Sequence, residues 1–155
     1  MVKRWTKILS EEQGHALVDF AASALVWCMM IFAVIEAGMM LYSFHSVAYA
    51  ARLGSRYAVV RGSACSGFAS ACPAIASDVQ TYIRGKAFPG IDPTKLSVST
   101  AWAALAGGTC SPSASCNNPG NSVTVTVSYN FRLALPALAA KTITMHSSSE
   151  MVISQ

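Results

Sequence analysis

Charge is scarce in this sequence. Asp, Glu, Lys and Arg make up 12% of its 155 residues, about half the roughly 25% of an ordinary soluble domain. Much of the chain is therefore not built to face water. The net charge of +4 is thinly spread, and beyond Lys3, Arg4 and Lys7 no basic residues cluster. A nucleic-acid groove is not expected. Histidine is limited to His15, His45 and His146, far apart in the chain. There is no His-Glu-x-x-His, no Gly-x-Ser-x-Gly and no phosphate-cradling glycine loop; Gly107-Gly108 precedes no Lys-Ser/Thr. Acids beyond residue 60 are confined to Asp78, Asp92 and Glu150, and nothing in their spacing supports a paired-carboxylate mechanism. The expectation is a protein that is not an enzyme, with no cofactor and no metal. No internal repeat is present.

What the chain does have is a long apolar run. From Phe20 to Phe44 the one charge is Glu36, and no proline interrupts. A spanning helix needs roughly 20 predominantly apolar residues. The stretch Leu25 to Ile35 is apolar on every side, and no other part of the chain is large enough to cover such a helix as a soluble core. A single membrane crossing is predicted. Lys3, Arg4 and Lys7 before it favour a cytoplasmic start, while Arg52, Arg56 and Arg61 after it compete. Cysteines break the tie. Cys65, Cys72, Cys110 and Cys116 all follow the span, and disulfides persist in oxidising compartments. Four cysteines allow three pairings; proximity alone selects Cys65–Cys72 and Cys110–Cys116. A metal site is the rival, but close Cys-x-x-Cys spacing and neighbouring histidines are both missing. Cys28, within the span, reads as a packing residue.

The first 14 residues do not make an ordinary secretory signal, because the polar stretch Ser10-Glu-Glu-Gln-Gly14 precedes the apolar core instead of following it. A cut after Gly14 would remove the basic head and leave the whole apolar helix. Asp19 would then be the fifth residue, followed by Phe20. A carboxylate there is costly unless paired, or else it caps a helix N-terminus. The run Gly14-His15-Ala-Leu-Val-Asp19-Phe20, continuing through Ile35-Glu36-Ala-Gly38, Leu41-Tyr42 and Ala50-Ala51-Arg52-Leu-Gly54-Ser-Arg56-Tyr57-Ala58, resembles the TadE-like minor pilins (pseudopilins) of tight-adherence, Flp-type pilus systems. That family typically carries glutamate where this chain has Asp19; the shorter side chain keeps the charge. The resemblance covers about residues 13 to 60, and more weakly Val123 to Ile153.

It implies that a prepilin peptidase cuts between Gly14 and His15, and that the new amine of His15 and the Asp19 carboxylate form a polar pair, within or between subunits, where scarce water strengthens the attraction. Glu36, 17 positions further on, either pairs with a basic residue of a partner subunit or reaches the headgroup layer. Ala33, Ala37 and Gly38 leave a narrow strip that lets helices approach closely.

Beyond the membrane the helix is predicted to continue to Val60, with Val47, Ala50, Ala51, Gly54 and Tyr57/Ala58 on one face and Arg52 and Arg56 on the other. For the two arginines a solvated face or lipid-headgroup contact is preferred over a specific role. A second helix is expected over 68–88, with Pro73 in its first turn. Strands are expected at Leu96–Trp102, Ser122–Phe131 and Thr142–Ile153, with a Cys-bearing loop over 107–121 and a break at Pro136. The fold class is α+β and pilin-like: a leader (1–14), a transmembrane and extended helix (15–60), and a small extracytoplasmic domain (61–155) with a helix and a three-stranded or larger antiparallel sheet. The expected partners are the membrane, prepilin peptidase, other pilin or pseudopilin subunits and the pilus assembly platform. The expected location is the inner membrane, single pass, or an extracellular filament. The alternative is an uncleaved anchor carrying an outer binding domain.

Overall fold

The computed structural model describes residues 2–67, 72–86, 88–104, 116–133 and 141–154, with the side chains of the first helix described from Gly14 onward. Two compact units share the chain: Met1–Met39 with Leu133–Lys141, and Met40–Arg132 with Thr142–Gln155. Helix α1, Val2–Val59, supplies residues to both.

In the first unit, the α1 residues from Gly14 carry large apolar side chains facing outward: Leu17, Val18, Phe20, Leu25, Val26 and Met30 are all exposed. They fall on every side of the helix, so no single stripe marks a core-facing surface. Among the described residues α1 is the one helix long and apolar enough to cross a membrane, through Gly14–Val59, and none of its most apolar stretch is buried. A soluble core helix would be covered by its own chain; among the described residues nothing buries this stretch. At 1.5 Å per residue, about 20 residues cross the hydrocarbon, which leaves the C-terminal third of α1 for the second unit.

There the helix changes character. Ser43, Val47, Ala50, Ala51, Gly54, Ser55 and Ala58 are buried, spaced three or four apart along one stripe, while Arg52 and Arg56 stay exposed on the other side. The stripe is made of small residues, so the backbone can lie close to what covers it. The cover is an antiparallel sheet, order β1-β2-β3, built from β1 (Leu96–Ala103), β2 (Ser122–Arg132) and β3 (Thr142–Val152). Its register runs Thr100↔Val125 and Val125↔Ser149. The strict alternation of β2 buries Val123, Val125 and Val127 on one face, as period-two patterning requires. Ile83 and Val79 of helix α2 (Ala76–Arg84), with Ile91, Leu96 and Ile153, complete the core. A Cβ added at Gly54 would lie 2.6 Å from Ile83 Cδ1 and 3.0 Å from Val125 Cγ1. One hydroxyl pair crosses the layer: Ser55 Oγ sits 2.9 Å from Ser149 Oγ.

The fold class is as expected, α+β with a three-stranded antiparallel sheet. Helix α2 is shorter than the predicted 68–88. Residues 68–71 and 87 lie outside the described residues, and before Ala76 the backbone is committed elsewhere. Ala74 N–H donates to Arg61 C=O (2.9 Å), and Ala74 C=O accepts from Asn117 Nδ2 (2.9 Å). The Asp78 N–H that would close a helical turn on the Ala74 carbonyl goes instead to Ile75 C=O (3.0 Å), and the helix begins at Ala76. Asp78 then caps the helix by accepting from Ile75 N–H at 3.1 Å. The expected break at Pro136 and most of the 107–121 loop also fall outside the described residues.

Candidate functional site

The residues singled out around the leader lie on one continuous stretch of α1. Gly14, His15, Asp19 and Phe20 are all helical and all exposed. Positions four apart share a helix face, so His15 and Asp19 are one turn from each other. Ser23 Oγ donates to the backbone C=O of Asp19 at 2.8 Å, and the Asp19 side chain is exposed. Gly14 has nothing within 4 Å of where a Cβ would stand. A glycine inside a helix costs about 1 kcal/mol relative to alanine, so at this position it is kept without any packing return. Gly54, on the same helix, is the contrast, because its missing Cβ is what lets α2 and β2 approach.

Glu36 is half-buried among exposed neighbours. From Asp19 to Glu36 is 17 residues, about 26 Å of rise and about 100° of rotation around the helix. The two acids of one chain therefore cannot share a partner or a proton. Gly38 has open space around it like Gly14, and Ala33 and Ala37 beside it are exposed. Cys28 is a free, exposed cysteine on the same rod.

In the second unit a disulfide joins Cys65 and Cys72, with 6.0 Å between their Cα atoms. Cys116 is disulfide-bonded too; the expected partner, Cys110, lies outside the described residues. The two cysteine-bearing segments are stitched together by Ser63 N–H donating to Asn117 C=O (2.7 Å), Ser63 Oγ to Asn118 Oδ1 (2.7 Å) and Asn117 to Ala74. Among the described residues no group of three or more His, Cys, Asp or Glu is placed to hold a metal ion. His15 and His45 lie on α1 and His146 on β3, in no shared cleft.

The sequence reading missed one feature, an aromatic ladder tying α1 to α2. Tyr57 stacks on Tyr82 with ring centroids 4.1 Å apart and planes 21° from parallel. The Arg61 guanidinium lies 4.0 Å from the Tyr57 centroid and Lys86 Nζ lies 4.9 Å from that of Tyr82. The signal available in sequence was the four-residue spacing of Tyr57 to Arg61 and of Tyr82 to Lys86; the stacking of one pair on the other was not available.

The first unit thus carries an exposed apolar rod with an acid five positions past an unpacked glycine, and the second is a small disulfide-bonded domain. Comparison with curated proteins and with solved structures finds no match. Residues 14–56, from the glycine ahead of the apolar rod to the second arginine beyond it, match the model of the family described as TadE-like protein.

Proposed function

We propose that the chain is a minor pilin or pseudopilin-like structural subunit that serves assembly of a Flp-type (tight adherence) pilus or a related secretion filament. The observation that carries this reading is Gly14: a helical glycine with open space around it, at the first residue of the TadE-like match and five positions before Asp19. Packing does not call for glycine there, whereas a peptidase that must close on the backbone does. Cleavage between Gly14 and His15 leaves a free amine one turn from the Asp19 carboxylate. In a bundle of such helices the amine of one subunit and the acid of another neutralise each other where water is scarce. The exposed, all-round apolar surface of α1 is then the assembly surface, with the Ala33, Ala37 and Gly38 strip allowing close approach.

The same reading assigns prepilin peptidase, other pilin or pseudopilin subunits and the assembly platform as partners. It assigns the inner membrane as the location before assembly, with the C-terminal domain extracytoplasmic. Lys3, Arg4 and Lys7 ahead of the span and a disulfide beyond it support that orientation. A second reading, an uncleaved anchor carrying an outer binding domain, is favoured by one observation: α1 runs unbroken through Gly14 from Val2. Mass spectrometry of the protein from native membranes separates them. The pilin-like reading expects a mature chain beginning at His15, and retention of residues 1–14 after Gly14→Ala. An intact Met1 to Gly14 in the native protein refutes it in favour of the anchor.

A further inference from the structure

The second unit carries two arginines without partners on one side and an acid without a partner on the opposite side. Along the Met40–Val59 part of α1, the buried stripe through Val47, Ala51, Gly54 and Ala58 meets the sheet. Arg56 stands two residues from Gly54, about 160° of rotation away. Both it and Arg52 are exposed. With Tyr49 and Leu53 they line a hollow of about 150 Å³. Tyr49 makes an edge-on contact with Phe88, centroids 6.3 Å apart. Like charges four residues apart oppose a helix, and among the described residues no carboxylate pairs with either guanidinium.

The acid is Glu150. Val125 is buried beneath α1 and pairs with Ser149 of β3, whose hydroxyl lies 2.9 Å from that of Ser55 on α1. Successive strand residues point to opposite faces, so Glu150 projects from the face of the sheet that α1 does not cover. It is exposed, and among the described residues no cation pairs with it. The other two acids beyond residue 60 are engaged: Asp78 accepts from Ile75 N–H, and Asp92 accepts from Thr94 and faces Lys95. Around Glu150 the face is built of small side chains. Ala101 and Thr124 lie in its own rank, and Ser99, Thr126 and Ser148 in the next. Such a surface lets a ridged helix face come close.

We propose that a second copy of this chain docks on the Arg52–Arg56 side of α1 through the outer face of its sheet, with its Glu150 carboxylate in the hollow between the two guanidiniums. Opposite charges on opposite sides of one unit make the contact heterologous, head to tail. The simplest such relation is a shift. Under it the Met40–Val59 helices of both copies run the same way, and each pair keeps a free acid at one end and a free arginine pair at the other. The contact deepens the subunit reading above and rests on it in that copies of the chain meet; it does not need cleavage at Gly14.

The test uses the full chain in a neutral detergent, as a mixture of light and heavy nitrogen-labelled protein. Arg56→Lys places an amine at the hollow, and a zero-length carbodiimide joins a lysine to a carboxylate that touches it. The expected product is a Lys-to-Glu150 link from position 56, joining a light chain to a heavy one. The native lysines Lys86, Lys95 and Lys141 are exposed and serve as internal controls; Glu150 linking equally to them means random collision and overturns the proposal. Sedimentation equilibrium gives the second readout. Glu150→Arg should weaken self-association about tenfold, the scale of exposed pairs turned from attraction to repulsion. Adding Arg52→Glu and Arg56→Glu to the same chain should restore it. Near-ultraviolet circular dichroism checks that each variant is folded; where a charge-reversed one is not, Glu150→Gln carries the test and should weaken association about threefold. Absence of the link from position 56 to Glu150 overturns the proposal, and so does association that the Glu150 variants leave unchanged. A link from position 56 to an acid of a different protein overturns the second copy as occupant. Native protein that retains residues 1–14 while the link and the charge rescue hold would remove the processed-pilin reading and leave this contact standing.

Discussion

Gly54 offers the sharpest quantitative test of the packing in the second unit. Replacing it with alanine places a methyl 2.6 Å from Ile83 Cδ1 and 3.0 Å from Val125 Cγ1. Ile83 and Val125 are both fully buried, so neither has empty space to move into. Alanine in place of a helical glycine gains about 1 kcal/mol of backbone propensity. Overpacking a well-filled core costs about 1–3 kcal/mol. The second effect wins, and Gly54→Ala is expected to destabilise the domain by about 1 kcal/mol, or roughly 4–8 °C in Tm for a domain of this size. Ile83→Val removes the offending Cδ1. Alone it should cost about 0.5–1.5 kcal/mol; combined with Gly54→Ala the two penalties should fall short of their sum by about 1 kcal/mol, since the added methyl then occupies the space left by the lost one. The assay is thermal unfolding of the full chain in detergent, followed by near-ultraviolet circular dichroism, for the four members of the cycle. Strict additivity, or a Gly54→Ala protein as stable as the parent, would refute the close approach of α1 to α2 and β2.

Asn117→Ala should cost about 1–3 kcal/mol, because it strands the Ala74 carbonyl that Asn117 Nδ2 now satisfies at 2.9 Å; an unchanged unfolding midpoint would count against that bond. Cys65→Ser with Cys72→Ser opens a seven-residue separation and should lower stability by roughly 2 kcal/mol on the loop-entropy scale, read as faster amide exchange at Ser63 and Ala74; exchange as slow as in the parent would contradict it. Asp92 accepts from the Thr94 hydroxyl and backbone N–H and sits near Lys95, and these partners hold its carboxyl below its ordinary pKa. Its small contribution is thus present above the unfolded-chain value and fades as pH falls through the lower folded one. Carbon-detected NMR titration should place its midpoint below that of a model peptide, and Thr94→Ala should move it back up.

Much of this architecture was legible along the chain. The apolar run from Phe20 to Phe44 announces a span because every side of that helix is greasy, a property of composition that no tertiary contact alters. The strand Ser122–Arg132 was legible because Val123, Val125 and Val127 alternate with Thr124 and Thr126, and a half-buried sheet enforces that period locally. The face of Val47, Ala50, Ala51, Gly54 and Ala58 was legible for the same reason at helical period. The start of α2 was not. The apolar spacing that suggested 68–88 is blind to Ala74 giving its N–H to Arg61 and its carbonyl to Asn117, partners 13 and 43 residues away.

Sequence alone therefore determined the greasy rod, the glycine–acid spacing at its start, the strands and the α+β class, since each depends on the residues within a few turns of itself. Tertiary structure alone decided that Gly54 is a contact point and Gly14 is not, that Tyr57 stacks on Tyr82, and that Arg52 and Arg56 flank a hollow with no acid between them among the described residues. Those outcomes depend on which surfaces meet across the layer between helix and sheet, and short-range patterns carry no record of such meetings.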